Sequence, residues 1–166
     1  MEICLSLGSN VGNRLANLRR ARELIGGLSG VKPIAFSAIY ETEPIGVPAQ
    51  FRKKFFLNAI LLIECANSDT LIVQLQTLEI AMGRGANRVP NEPRPIDIDI
   101  VYAGRRCIRT GNLIVPHPRW AERRFVVRPL ADVRPDLVVP GERRTVAEIL
   151  SALPKVPKVV LFRRKW

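Results

Sequence analysis

Two stretches of helical periodicity, each stopped by glycines, separate the apolar runs between Met1 and Tyr102, and this ordering limits the fold more than any other feature. Residues 1–7 are apolar enough for a buried strand and end in the turn cluster Gly8-Ser9-Asn10. Asn13 can cap a helix that places Leu15, Leu18, Ala21 and Ile25 on one face, with Gly26, Gly27 and Gly30 ending it. Residues 34–43 read as a strand. The proline- and glycine-punctuated loop EPIGVPAQFRKK follows, then another β run over 55–65. Ser68 can cap a helix reaching Met82, with Leu71, Leu75, Leu78 and Met82 at helical spacing and Gly83 and Gly85 as its stop. A polar loop then leads into an alternating strand over 96–102.

The order β-α-β-β-α-β predicts an α+β, ferredoxin-like arrangement, a four-stranded sheet covered on one face by two helices. The remainder, from about residue 103 onward, is expected to add a C-terminal α/β extension: a short hairpin, helical turns near Trp120 and Arg128, and a helix after Thr145. A chain of 166 residues fits one domain. MEICLSLG has no basic n-region, no apolar run is long enough to span a bilayer, and Cys4, Cys65 and Cys107 are far apart in apolar runs. The expectation is a cytoplasmic protein with reduced core thiols and no membrane partner. The net charge of +11 points either to a polyanionic partner or to a solubilising, arginine-rich surface.

The run PRPIDIDIVY (93–102) poses a physical problem. Asp is a poor strand former, and an unpaired buried carboxylate is costly. Yet Asp97 and Asp99 sit two apart at its centre. Alternation puts Ile96, Ile98, Ile100 and Tyr102 on one side and Asp97, Asp99 and Val101 on the other. If the isoleucines face the helices, the aspartates lie on the open face, about 7 Å apart along the strand. Such a pair can hold one or two hard divalent cations, because Mg²⁺ takes one or two carboxylates with waters and substrate phosphates. Alternatively, nearby arginines neutralise the pair. Arg84, Arg88 and Arg94 lie in or beside the preceding loop, and forked guanidiniums suit phosphate oxygens. Glu79, in the last turns of the second helix, can accept from a base or ribose, or pair with Arg84 across the helix end.

Downstream, the chain's only histidine, His117, stands between two prolines in a stiff loop that aims the ring. Arg123 and Phe125, two residues apart, can present a cation and an aromatic face to one pocket, and Phe125 fits a core equally well. Phe56 and Asn58 share a strand face, and an amide beside a ring suits a flat heterocycle.

Taken together, LSLGSN (5–10), YETEPIG (40–46), FLNA (56–59), LEIAMGR (78–84), PRPIDIDIVY (93–102) and VPHPRWAERRFVVRPL (115–130) resemble the 6-hydroxymethyl-7,8-dihydropterin pyrophosphokinase family over nearly the whole chain. The resemblance implies transfer of a pyrophosphoryl group from ATP to the pterin hydroxymethyl in folate biosynthesis. It assigns two Mg²⁺ ions to Asp97 and Asp99, and phosphate contacts to Arg84, Arg94, His117 and Arg123. Gln76 and Glu79 fall on the ATP side. The pterin is expected between Phe56 and Phe125, with Asn58 reading its polar edge and Thr42, Pro44, Ile45 and Gly46 completing the pocket. Three positions depart from the family pattern. Phe56 stands where a tyrosine is common, the loop GANRVPNEPR lacks the tryptophan and extra basic residues of some members, and Asn112 replaces a basic ATP contact. Catalytic roles are therefore carried to Arg84 and Arg94 but not to Arg88.

A nucleic-acid module on the same sheet would explain the charge. It needs paired aromatics in recognisable motifs on the central strands, and two exposed acids would repel phosphate. A non-catalytic metabolite-binding domain needs neither the paired acids nor the arginines around them. The expected partners are ATP and the pterin, with no nucleic acid, acting on a monomer.

Overall fold

The computed structural model describes residues 1–44, 48–66, 68–85, 92–110 and 113–166, with backbone alone at Ser68 and Asp69. Ile45, Gly46, Arg88 and Asn112 therefore lie outside the described residues. The elements are β1 (Glu2–Ser9), α1 (Arg14–Gly26), β2 (Val31–Phe36), β3 (Ile39–Thr42), β4 (Phe56–Cys65), α2 (Ser68–Ala81) and β5 (Asp97–Ala103). After these come the hairpin strands β6 (Ile108–Thr110) and β7 (Leu113–Val115), the helices α3 (Arg124–Val133) and α4 (Val146–Ala152), and β8 (Val159–Arg163).

Antiparallel pairing gives the path β5-β1-β4-β3-β8, with β2 also on β4. The first five strands and two helices are the expected ferredoxin-like unit. Its helix-facing core joins Leu5 and Leu7 of β1, Leu57, Leu61 and Ile63 of β4, and Ile98 of β5 to Leu18 and Ile25 of α1 and Leu71 and Leu75 of α2. Asn13 caps α1 as the sequence predicts, its side chain accepting from the Ala16 N–H at 3.1 Å.

Four local expectations are corrected. The single strand over 34–43 is two strands, because Ser37 turns inward: its Oγ accepts from the Ile60 N–H at 2.9 Å, and its N–H donates to the Ile60 carbonyl at 3.0 Å. Helix α2 begins at Ser68 itself. Cys107 is exposed, unlike the buried Cys4 and Cys65. Finally, Tyr102 does not share the isoleucine face. The β1–β5 register shifts between Cys4 and Leu5, so that Ile100 pairs Leu5 while Tyr102 pairs Cys4, leaving Val101 as the extra residue of a bulge. Val101 and Tyr102 both turn to the second face of the sheet.

That second face is not open along its whole length. A separate core of Cys4, Ile60, Leu62, Val101, Tyr102 and Trp120 is covered by Val126, Val127 and Leu130 of α3 and Val146 and Ile149 of α4. Pairs further along the strands lie beyond this cover. Gly8 of β1 pairs with Asn58 of β4 on one side and Asp97 of β5 on the other, and Ser6 pairs with Asp99. Among the described residues no helix is long and apolar enough to cross a membrane.

Candidate active site

The uncovered end of the second face is the floor of a cavity of about 380 Å³. It collects Thr42, Pro44, Phe56, Asn58, Arg94, Asp97, Asp99, Arg123 and Phe125 from the residues singled out in the sequence. A second cavity, of about 300 Å³, lies at the sheet edge between α2 and the β6–β7 hairpin and is lined by Gln76, Ile98, Ile100, His117 and Asp99 among others. Asp99 lines both.

Gly8 explains how the floor is kept low. A Cβ at this position would lie 3.3 Å from Asn58 Oδ1, 3.8 Å from the Asp97 Cβ and 3.8 Å from a Phe56 ring carbon. A glycine inside a buried strand marks such a close approach. Gly8→Val is expected to weaken binding of a flat heterocycle by about 10-fold or more, because its methyls crowd Asn58 and Phe56 at the cavity floor, and to cost about 1–3 kcal/mol of stability by overpacking. Isothermal titration of both proteins with the pterin that the resemblance implies, beside urea melts, checks this, and unchanged affinity contradicts it.

The walls are specific. The Asn58 Nδ2 donates to Thr42 Oγ1 at 2.8 Å, which fixes the amide and leaves Oδ1 as its cavity-side acceptor. The Arg94 guanidinium lies 5.8 Å from the Phe56 ring centre and that of Arg123 5.7 Å from Phe125, so each aromatic wall carries a cation at its side. The far wall was not anticipated: Leu153, Pro154 and Val156 come from the chain between α4 and β8, and Val159 opens β8. Arg124 ties this segment down by donating to the Leu150 and Leu153 carbonyls, each at 3.1 Å.

The charge facing Asp97 comes from the protein itself. Arg84 and Arg94 each donate to a different Asp97 oxygen at 2.5 Å. Arg84 is placed by its backbone. Gly83, at φ 93, donates to the Ile80 carbonyl at 2.9 Å, and the Arg84 N–H donates to the Glu79 carbonyl at 3.0 Å, closing a Schellman turn at the end of α2. Glu79 is buried, 1% exposed, and lines neither cavity. Its Oε1 accepts from Arg84 and from the Ile98 N–H at 2.8 Å. The surface pairing allowed by spacing is thus an interior one, and Glu79 holds Arg84 towards β5. Burial lowers the Arg84 pKa, but Asp97 and Glu79 more than offset it and the net shift is upward.

Asp99 differs from Asp97. Among the described residues its ion-pair partner is Arg123 at 3.7 Å, and its side chain is 42% exposed. Recessed between protein walls and beside a second carboxylate, it is raised above the ordinary carboxylate value by burial and then by Asp97, against the pull of Arg123, Arg94 and Arg84. A carboxylate pair with one member accessible is a donor set that suits Mg²⁺. Among the described residues no third acidic, histidine or cysteine ligand joins them, so remaining positions would belong to water and ligand oxygens.

His117 is anchored by its N–H to the Val101 carbonyl at 2.9 Å. Its Nδ1 accepts from the Arg119 N–H at 3.1 Å, and its Nε2 lies 3.4 Å from the Arg123 guanidinium. Burial, then Arg123 and Arg119, lower its pKa from 6.5 to about 4. The unfolded chain therefore takes up this proton first as pH falls. The stability His117 contributes is complete above about pH 6.5 and is lost towards pH 4. The drop in unfolding free energy between these pH values should be smaller in His117→Gln, and equal urea-melt profiles would contradict this.

The family profile described as 7,8-dihydro-6-hydroxymethylpterin-pyrophosphokinase (HPPK) matches residues 4–135. The chain is 38% identical over 152 residues to "Folic acid synthesis protein fol1" of Pneumocystis carinii, covering 91% of this chain but only 20% of that protein. It is 40% identical over 130 residues to the 2-amino-4-hydroxy-6-hydroxymethyldihydropteridine pyrophosphokinase of Bacillus subtilis, covering 78% of this chain and 75% of that one. The fold matches a crystal structure of Plasmodium falciparum HPPK-DHPS with pteroate at a TM-score of 0.71 and 13% identity, over 90% of this chain and 42% of that chain. The profile match over most of the chain and the 40% identity to a pyrophosphokinase covered over 75% of its length show that this chain belongs to the 7,8-dihydro-6-hydroxymethylpterin pyrophosphokinase family.

Proposed function

We propose that this chain transfers a pyrophosphoryl group from ATP to 6-hydroxymethyl-7,8-dihydropterin, yielding AMP and the pterin diphosphate for folate synthesis. The observation that carries the reading is Asp99, one carboxylate shared by an aromatic-walled cavity and a second cavity at the sheet edge. A two-substrate transfer needs such a junction.

The pterin lies between Phe56 and Phe125 in this reading, with Asn58 Oδ1 accepting from its N–H groups and Thr42 and Pro44 beside it. ATP enters on the Gln76 and His117 side. Its phosphates reach the neighbourhood of Asp99, where Arg123, Arg94 and Arg84 supply donors and His117 lies alongside. The pterin hydroxyl oxygen bonds to the β-phosphorus as that atom's bond to the α,β-bridging oxygen breaks; the hydroxyl proton passes to water, and AMP leaves with the bridging oxygen. Mg²⁺ held by Asp97 and Asp99, two ions in the fullest form of this reading, would neutralise and orient the triphosphate. Positioning and charge neutralisation then account for the catalysis, as in phosphoryl transfers generally. We take residues 1–166 as a single pyrophosphokinase domain working as a cytoplasmic monomer.

The test is AMP release from ATP by the purified chain. AMP is expected only when both the pterin and Mg²⁺ are present. A folded protein that releases none under those conditions overturns the proposal.

A further inference from the structure

Arg94 is the last described residue but two before β5, and its guanidinium bridges Asp97 and the Phe56 wall. A long side chain delivers a guanidinium reproducibly only if its backbone is fixed. The partner that fixes it comes from the opposite end of the sequence. Asn10, 5% exposed, accepts the Arg94 N–H on its Oδ1 at 2.8 Å, and its own N–H donates to the Arg94 carbonyl at 3.3 Å. The turn bearing Asn10 is itself held from α1, where Asn17 Nδ2 donates to Ser9 Oγ at 3.2 Å and to the Val11 carbonyl at 2.9 Å.

We infer that Asn10 is a positioning residue for the transfer reaction, acting through Arg94. Its side chain locks the backbone from which that guanidinium reaches the carboxylate pair, and the Ser9–Val11 turn transmits the rigidity of α1 to the site. Asn10 lines neither cavity, so the effect has no direct-contact component. Among the described residues the buried Arg94 Nε has no partner, which makes the head group dependent on where its backbone sits.

Asn10→Ala removes the side-chain acceptor and keeps the reciprocal backbone bond. Asn10→Asp keeps an acceptor at the same place. The inference rests on the proposed transfer, and its test is a double-mutant cycle read by kcat and KM for ATP. Asn10→Ala is expected to lower kcat by about 10²-fold with a smaller change in KM, the scale of a displaced reacting group. Asn10→Asp should recover most of the loss. In an Arg94→Ala background, Asn10→Ala should add little further loss. If Asn10→Ala does not fold, the cycle is run with Asn10→Ser. Losses that multiply across the cycle, or an Asn10→Asp protein that folds and is as slow as the alanine variant, overturn the positioning role while the transfer reading stands. A wild type that forms no AMP overturns both.

Discussion

Asp97→Ala is expected to lower AMP formation by about 10³-fold or more, the scale of losing a preorganised charged group at a reacting centre. The carboxylate is 19% exposed and is the convergence point of Arg84 and Arg94, both at 2.5 Å. Its removal takes away an oxygen ligand for a divalent ion. It also leaves two guanidiniums pointed at each other across the vacated site, so part of the loss is a displaced pair of phosphate donors. Asp97→Asn separates the two effects, because it keeps the volume and one acceptor oxygen. Quenched-flow AMP assays at saturating ATP, pterin and Mg²⁺, beside thermal melts, make the comparison. Either variant retaining more than about a tenth of the wild-type rate would remove Asp97 from the mechanism.

The largest expected effect on stability belongs to Glu79. Replacing it by alanine strips a buried carboxylate from Arg84 and leaves the Ile98 N–H without its acceptor. Breaking one half of a buried, hydrogen-bonded charge pair costs about 3–5 kcal/mol. Urea denaturation should show a lower midpoint with an unchanged slope. Activity measured well below that midpoint should also fall, because Arg84 keeps its Schellman turn but loses one of the two carboxylates that aim it. Glu79→Gln, which can still accept from the Ile98 N–H, should lose less stability than the alanine variant. Equal stability of wild type and Glu79→Ala would contradict this account.

Much of the site was legible along single strands. Period-two alternation put Asp97 and Asp99 on one face, and Phe56 beside Asn58, because each of these relations lies within one element. Relations between elements were not legible in this way. Gly8 looked like part of a turn, yet its role depends on being flanked by Asn58 and Asp97 on neighbouring strands. A glycine in an apolar strand was the available signal. Of the two partners the sequence allowed for the aspartates, metal or nearby arginines, Arg84 and Arg94 already sit on Asp97. The wall from Leu153 to Val159 escaped because it follows from how β8 returns along β3. Glu79 looked like a surface helix residue because its burial depends on β5 lying against α2.

The bulge at Val101 divides one strand between two duties. Ahead of it, Asp97 and Asp99 keep the pleat phase that serves chemistry; behind it, Val101 and Tyr102 both serve the second core, with the Tyr102 hydroxyl donating to Glu2 at 2.6 Å. The Val101 carbonyl is where His117 hangs. Deleting that extra residue would leave Tyr102 on the second face by simple alternation, but would withdraw the carbonyl that anchors His117. A substitution that merely loosens Tyr102 should instead weaken the fold and leave the carboxylates aimed as before. One surplus residue thus insulates the reacting end of the strand from changes in its structural end.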